Sequence, residues 1–404
     1  MKQLNKIYNF IFSLFFAVIP FTEHFQAAPN IILGILLACF PFVVKKEDWK
    51  KENNKIIFLF TGLILIILIG ILVWNRWEDF SFLTKIITIP VILFLSIPIK
   101  NNMPPLYAFL IGSTSLLLLS VIKLGLHYNS YQNLNLDVGA KVNELLMGER
   151  PYLGFIYLVS FCVCLYLVRY QRKKWIKIFH YLLCLIFCIF ILFISARLSI
   201  LSLLIIIGVA VFYAKNKKRT LLISLGGIVV MAFAGVLNPN FISRLTAGFE
   251  QDKLEIQKII LLEPRSHIWQ CSAKIVKSNS ATWMGFGFKN SINQLEDCYL
   301  THENFLNEEH RKFFVKSRFN SHNQFINFYL SSGIFSLIVF LIIFVMLFKS
   351  QYKNYVSFAL VLALFLFCIF ENVLSRQLGA MMFGVVLSIL SMIKTPSDQE
   401  LSSY

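Results

Sequence analysis

Acidic residues are scarce in this chain of 404 residues, which holds 21 Asp and Glu against 38 Lys and Arg and has a formal net charge of +17. The eight cysteines form no CxxC pair and no Cys/His zinc spacing, so no metal site is expected. There is no HExxH, no glycine-rich phosphate loop, no internal repeat and no low-complexity tract. These absences leave no soluble nucleotide-binding domain, so energy or activation must come with the substrate or from a gradient.

What the chain does have is apolar surface. Hydrophobic residues make up 57% and the mean hydropathy is +0.69, too apolar for a soluble domain of this size. The apolar runs are roughly 17–25 residues long, the length that crosses a bilayer as a helix. They are continuous rather than alternating, which excludes a β-barrel. In a soluble protein the basic excess would suggest nucleic acid. Here the bases sit mostly in short loops between runs, where they set orientation, and nucleic acid is not expected as a partner.

The pattern predicts an all-α polytopic membrane protein with about twelve spans, at 7–22, 28–44, 56–74, 81–99, 105–126, 151–169, 176–195, 197–214, 220–237, 323–348, 355–371 and 376–393. The basic start MKQLNK and the apolar run Ile7–Phe21, followed by Ala27-Ala28, have features of a signal peptide. A retained first helix is the preferred reading. With the N-terminus inside, Lys45, Lys46, Lys50, Lys51 and Lys55 fall on the cytoplasmic side. So do Arg169, Arg172, Lys173, Lys174 and Lys177, then Lys215, Lys217, Lys218 and Arg219, then Lys349 and Lys353. The other side receives one loop from about His127 to Arg150 and a longer one from about Asn238 to Ser321.

This divides the chain into about nine N-terminal transmembrane helices (1–237), a large outer loop (238–322), and about three C-terminal helices with a short cytoplasmic tail (323–404). The outer loop is too long for a passive connector. Its charge is balanced by Glu250, Asp252, Glu255, Glu263, Glu296, Asp297, Glu303, Glu308 and Glu309. A helical stripe of Ile268, Trp269, Ser272, Ile275 and Val276 predicts an amphipathic helix on the membrane surface or capping the bundle. Gly285 and Gly287 mark a turn.

Few polar side chains stand where chemistry is feasible. Arg197 lies between two apolar runs at the outer face. It is either an interfacial arginine reaching for headgroups or an anion clamp, since guanidinium matches phosphate oxygens. Arg265 follows Pro264 at a helix start, where backbone donors also favour an anion; an exposed loop arginine is the alternative. His267 is read as a surface residue. His322 and Asn323 open the tenth span. An imidazole there can take a proton from a sugar hydroxyl, and Asn323 can orient it or bind a hydroxyl; an interfacial histidine with no role is the alternative. Glu371, Asn372 and Arg376 share an outer turn, where Glu371 and Arg376 either pair with each other or line the same cavity. Lys85 and Lys123 read as anchors reaching toward the interface. Cys39, Cys162, Cys164, Cys184, Cys188 and Cys368 read as apolar packing residues in spans. Cys271 and Cys298, both in the outer loop, could bridge in an oxidising compartment, but the sequence gives no separation for them.

Together these segments resemble the O-antigen ligase and O-antigen polymerase superfamily of bacterial envelope glycosyltransferases. The match rests on SARLS at a tight outer turn, PRSHIW followed by GFGF, and SHNQFINFYLSSGIFSL, in that order, with FENVLSRQLG near the C-terminus. The N-terminal half matches only in hydropathy and span count, and SNSATWMGFGF lacks a proline common in the family before the glycine turn. The resemblance implies a C-type (GT-C-like) glycosyltransferase of the bacterial inner membrane, with both termini cytoplasmic and a periplasmic active site. Its donor would be a polyprenyl-diphosphate-linked glycan, and its acceptor a lipid A core sugar or a carrier-linked glycan, within membrane lipid. No cofactor or metal is implied, and the chain has no DxD-type pair to hold one. By motif, Arg197 and Arg265 would hold the diphosphate and His322 would be the base, with Asn323, Glu371 and Arg376 in support. A ligase is the preferred reading, a polymerase the alternative. A flippase is a third reading, disfavoured by the absence of repeated halves.

Overall fold

The computed structural model describes residues 2–49, 51–131, 143–236, 264–278, 283–301, 305 and 307–393. The acidic residues Glu250, Asp252, Glu255, Glu263 and Glu303, and the tail after residue 393, lie outside the described residues. All regular structure among the described residues is helical.

Each predicted apolar segment is a helix: α1 (Lys2–Val18), α2 (Ala27–Val43), α3 (Lys51–Val73), α4 (Phe80–Leu95), α5 (Met103–Tyr131), α6 (Arg150–Tyr170), α7 (Lys174–Phe193), α8 (Arg197–Tyr213) and α9 (Lys217–Val236). Three more helices, α10 (Pro264–Lys277), α11 (Phe288–Thr301) and α12 (Glu308–Ser317), form the loop region. They precede α13 (Gln324–Gln351), α14 (Tyr355–Phe370) and α15 (Gln377–Met392). Among the described residues, 6 helices are by length and composition able to cross a membrane: Gln3–Phe21, Asn53–Val73, Met103–Ser130, Arg150–Tyr170, Lys174–Phe193 and Gln324–Gln351. Ala27–Val43, Arg197–Tyr213, Tyr355–Phe370 and Gln377–Met392 are apolar but shorter. The chain is a polytopic helical membrane protein.

The bundle is centred on α6 and α15, both buried along nearly their whole length. Small residues allow the close approach: a Cβ on Gly154 would lie 2.8 Å from the Cβ of Ala196 and 2.4 Å from Ser199 Oγ, so α6 and α8 touch at their first turns. On α1, Phe12, Phe15 and Phe16 are buried, and Tyr8 Oη donates to the Leu95 carbonyl at 2.7 Å; α1 is a core element. Phe58, Trp175, Phe212 and Val345 remain exposed, as side chains facing lipid do. The two lysines expected to reach for the interface instead find backbone acceptors: Lys85 Nζ donates to the Ser375 carbonyl at 2.8 Å and Lys123 Nζ to the Leu146 carbonyl at 3.1 Å.

The loop region folds as a cap with its own core of Ile268, Cys271, Ile275, Leu295, Tyr299 and Phe314, closed by Leu330 of α13. The predicted apolar stripe of α10 therefore packs into this core rather than lying on the membrane surface. His267 is not a surface residue. Its ring is fully buried and stacks on Phe305 at 4.6 Å, with Phe314 and His310 edge-on. Cys271 and Cys298 are bonded, with Cα atoms 5.8 Å apart, and join α10 to α11. The bridge closes a loop across a separation of 27 residues, which constrains the unfolded chain by about 3–4 kcal/mol. Replacing both cysteines by serine is expected to lower the melting temperature in detergent. A wild type insensitive to reductant and equal to the variant would contradict this.

The cap is fastened to the bundle at a break in α13. Gly333 has φ 81 and ψ −175 inside that helix, a region open essentially to glycine alone. The break frees two carbonyls. Phe286 N donates to Leu330 O at 2.7 Å and Gly287 N to Ser331 O at 2.8 Å. A few residues away, Asp79 accepts from Phe288 N and Lys289 N, both at 3.0 Å, and so caps the start of α11. Arg76 donates to the Gly285 carbonyl at 2.9 Å, and Phe82 stacks on Phe288 at 3.5 Å. A Cβ on Gly333 would sit 2.0 Å from the Trp283 carbonyl oxygen. Gly333→Ala is thus expected to destabilise the cap by about 3 kcal/mol, through backbone strain and steric clash. Faster proteolysis within the cap is the measurement that checks it.

Candidate active site

The site is built where three separate parts of the chain meet. Asn323 ends a short turn and caps α13, its side-chain oxygen accepting from Phe325 N at 2.9 Å and Ile326 N at 3.0 Å. That cap fixes His322 just outside the helix, with φ 42. Arg265 projects from the first turn of α10. Glu371 ends α14, its N–H held by Phe367 O at 2.9 Å.

Glu371 joins the other two. Its Oε1 accepts from Arg265 Nη2 at 2.8 Å, and its Oε2 lies 3.1 Å from His322 Nδ1. Arg265 Nε donates to the Phe370 carbonyl at 3.2 Å, so the guanidinium grips the end of α14 in two places. A carboxylate only accepts, so Nδ1 carries the proton and Nε2 is the nitrogen left to take one. The Glu371 side chain is 11% exposed, against 26% for His322 and 29% for Arg265. The carboxylate is therefore the buried support, and the imidazole and guanidinium are the more exposed members of the trio. Burial works against charge on Glu371. The hydrogen bond from His322, then the charges of His322 and Arg265, outweigh it and hold the carboxyl below its ordinary value.

Residues 182–341 match the family model of O-antigen ligase. Over that segment the chain is similar to the O-antigen ligase family. A search of curated proteins found no match. The family indicates activity of the O-antigen ligase or polymerase type. Its matched segment contains Arg197, Arg265 and His322 but ends before Glu371. The carboxylate that joins two of the three is returned to the family segment by α14.

The remaining predicted residues fall as follows. Arg376 does not pair with Glu371. Its Nη1 lies 2.5 Å from Glu149 and 3.8 Å from Glu23, and its guanidinium stacks 5.4 Å over Tyr152. Burial, and then the neighbouring Glu149, push the Glu23 carboxyl up. This second charged group ties the turn after α1, the start of α6 and the start of α15. Asn323 spends its side-chain oxygen on its own helix. Arg197 opens α8 after the tight turn at Ser195, φ 51, and is exposed. The contacts joining Arg265, Glu371 and His322 do not include it. Its first turn packs on α6 beside Gly154, and Tyr152, two residues earlier, has its ring 5.4 Å from that of Phe367 near the end of α14. Arg197 and the trio thus share one end of the bundle.

Sequence reasoning missed Trp269, Glu23 and Glu149. Trp269 Nε1 donates to the Ser321 carbonyl at 3.1 Å, linking the cap helix to the residue before His322. Only the tryptophan's place in the stripe of α10 hinted at this. Nothing in the sequence pairs Glu23 and Glu149 with a residue more than 200 positions away. Among the described residues no group of three or more His, Cys, Asp or Glu is placed to hold a metal ion.

Proposed function

We propose that this protein is a membrane glycosyltransferase of the O-antigen ligase type, moving a glycan from a polyprenyl-diphosphate carrier to a lipid A core sugar at the periplasmic face. The observation that carries the reading is Glu371 held between His322 Nδ1 and Arg265, beside the O-antigen ligase family segment. In this reading the acceptor hydroxyl oxygen attacks the anomeric carbon of the donor sugar. Its proton passes to His322 Nε2 as the bond from that carbon to the diphosphate oxygen breaks. Glu371 holds the Nδ1–H and stabilises the imidazolium that forms. Arg265, with Arg197 from the neighbouring helix start, takes the charge growing on the leaving diphosphate. The diphosphate is a good leaving group, so the transfer needs no nucleotide.

Envelope glycans of a deletion strain, with and without the wild-type gene restored, test the assignment by gel and mass spectrometry. Loss of all glycan from the lipid A core, with carrier-linked polymer accumulating, is the result expected of a ligase. A core bearing a single repeat would replace that reading by a polymerase acting on carrier-linked acceptors. Intermediates trapped on the cytoplasmic side would overturn transfer altogether in favour of a flippase.

A further inference from the structure

The turn bearing His322 is gripped from both flanks by one side chain. Asn372 Oδ1 accepts from Ser321 Oγ at 3.1 Å and from Asn323 N at 2.8 Å. Asn372 directly follows Glu371, which holds the imidazole itself. Two consecutive residues therefore fix the ring and the backbone on either side of it. Leu374 N adds a third tie by donating to Gln324 Oε1 at 2.9 Å.

We propose that Asn372 is a positioning residue for His322: its amide oxygen sets the backbone of residues 321–323 so that the imidazole meets Glu371 on one side and the acceptor hydroxyl on the other. This rests on the reading of His322 as the base.

Three further observations support it. His322 adopts φ 42, a left-handed conformation that a non-glycine residue holds only where its surroundings over-determine it. The ties from Asn372 on both flanks, with Trp269 Nε1 on the Ser321 carbonyl and Asn320 Oδ1 on His322 N at 3.1 Å, supply that. Secondly, the asparagine's own turn makes no use of its side chain: the 3-10 turn Val373–Ser375 has no side-chain cap. Thirdly, Asn372 is buried and its Nδ2 meets no acceptor among the described residues. A buried amide with an unmet donor is a burden on stability. An apolar residue would avoid that burden but would lose the oxygen that holds the turn.

The test is a cycle of variants in purified full-length protein, with kcat, KM for the lipid-linked donor, and melting temperature measured together. Asn372→Ala is expected to lower kcat by about 10–100-fold, as misplacement of a reacting group does, with KM within about twofold. In a His322→Ala background the same change is expected to remove nothing further, because a residue that acts through the imidazole has nothing left to act on. Equal losses in both backgrounds, or unchanged kcat in Asn372→Ala, would overturn the proposal. Should Asn372→Ala not insert, Ser321→Ala removes one of the two ties and leaves the other. It should lower kcat a few-fold with His322 present and not at all in its absence, and any other pattern overturns the proposal. Full activity of His322→Ala alone would instead remove the base assignment, a failure the cycle reads separately.

Discussion

Glu371→Gln is expected to lower the transfer rate by about 10³–10⁴-fold with the protein still inserted. The estimate follows from carboxylate-to-amide exchange at a comparable carboxylate–histidine pair, where the wrong tautomer results. Here the amide would also remove the negative charge that Arg265 meets at 2.8 Å. Truncation to alanine goes further, since removing one member of a buried ion pair costs about 3–5 kcal/mol. Purified Glu371→Gln, assayed for kcat beside its melting temperature, separates the chemical loss from the structural one. Retention of more than a tenth of wild-type kcat would mean that Glu371 does not orient the base.

The same carboxyl gives a pH signature. Its pKa is lowered in the folded protein, so the stability it contributes is present above the ordinary glutamate value of about 4.3. That contribution is lost as pH falls through the lower, folded value. Acidification from neutrality to about pH 5 should leave it intact. Below about pH 4 the wild type should lose melting temperature more steeply than the variant.

His322→Ala is expected to remove the transfer rate by about 10²–10⁴-fold, the usual contribution of a general base. The change leaves the helix cap untouched, because Asn323 supplies it and the backbone ties of residues 321 and 323 do not use the imidazole. Membrane insertion and the melting temperature should therefore stay close to wild type. Donor KM should move little, since the arginines remain. A variant with full kcat would exclude His322 as the base. One that fails to insert would show that the hydrogen bond to Glu371 has a structural part as well.

The helices were legible because a run of some twenty apolar residues has few other uses. His322, Arg265 and Glu371 were also visible one by one, since an ionisable group beside an apolar run is costly. Their partnership was not. The nearest opposite charge to Glu371 in sequence is Arg376, five residues on, yet Glu371 pairs with Arg265, 106 positions away. The turn at Asn372 directs the two side chains to different neighbours: Glu371 closes α14, whereas Arg376 opens α15 beside Glu149. His267 failed in the other direction. Read on its own helix it is one polar residue among several, and the rings that bury it, Phe305, His310 and Phe314, come from later segments. The cysteine pair stayed open because spacing along the chain says nothing of the 5.8 Å between their Cα atoms. Asp79 was passed over because helix caps are sought next to a helix, and this one caps α11 from 209 positions upstream.

The bridge between Cys271 and Cys298 has a bearing on how the protein is made. Both cysteines precede α13 in the chain, as does every residue of the cap core except Leu330. A polypeptide synthesised from its N-terminus presents the two thiols before its last three helices have left the ribosome. Oxidation can then staple α10 to α11 while Glu371 and Asn372 are still unmade. The helix that carries Arg265 would then already be tied to its neighbour when Phe370 and Glu371, the residues the guanidinium grips, arrive with the last hairpin.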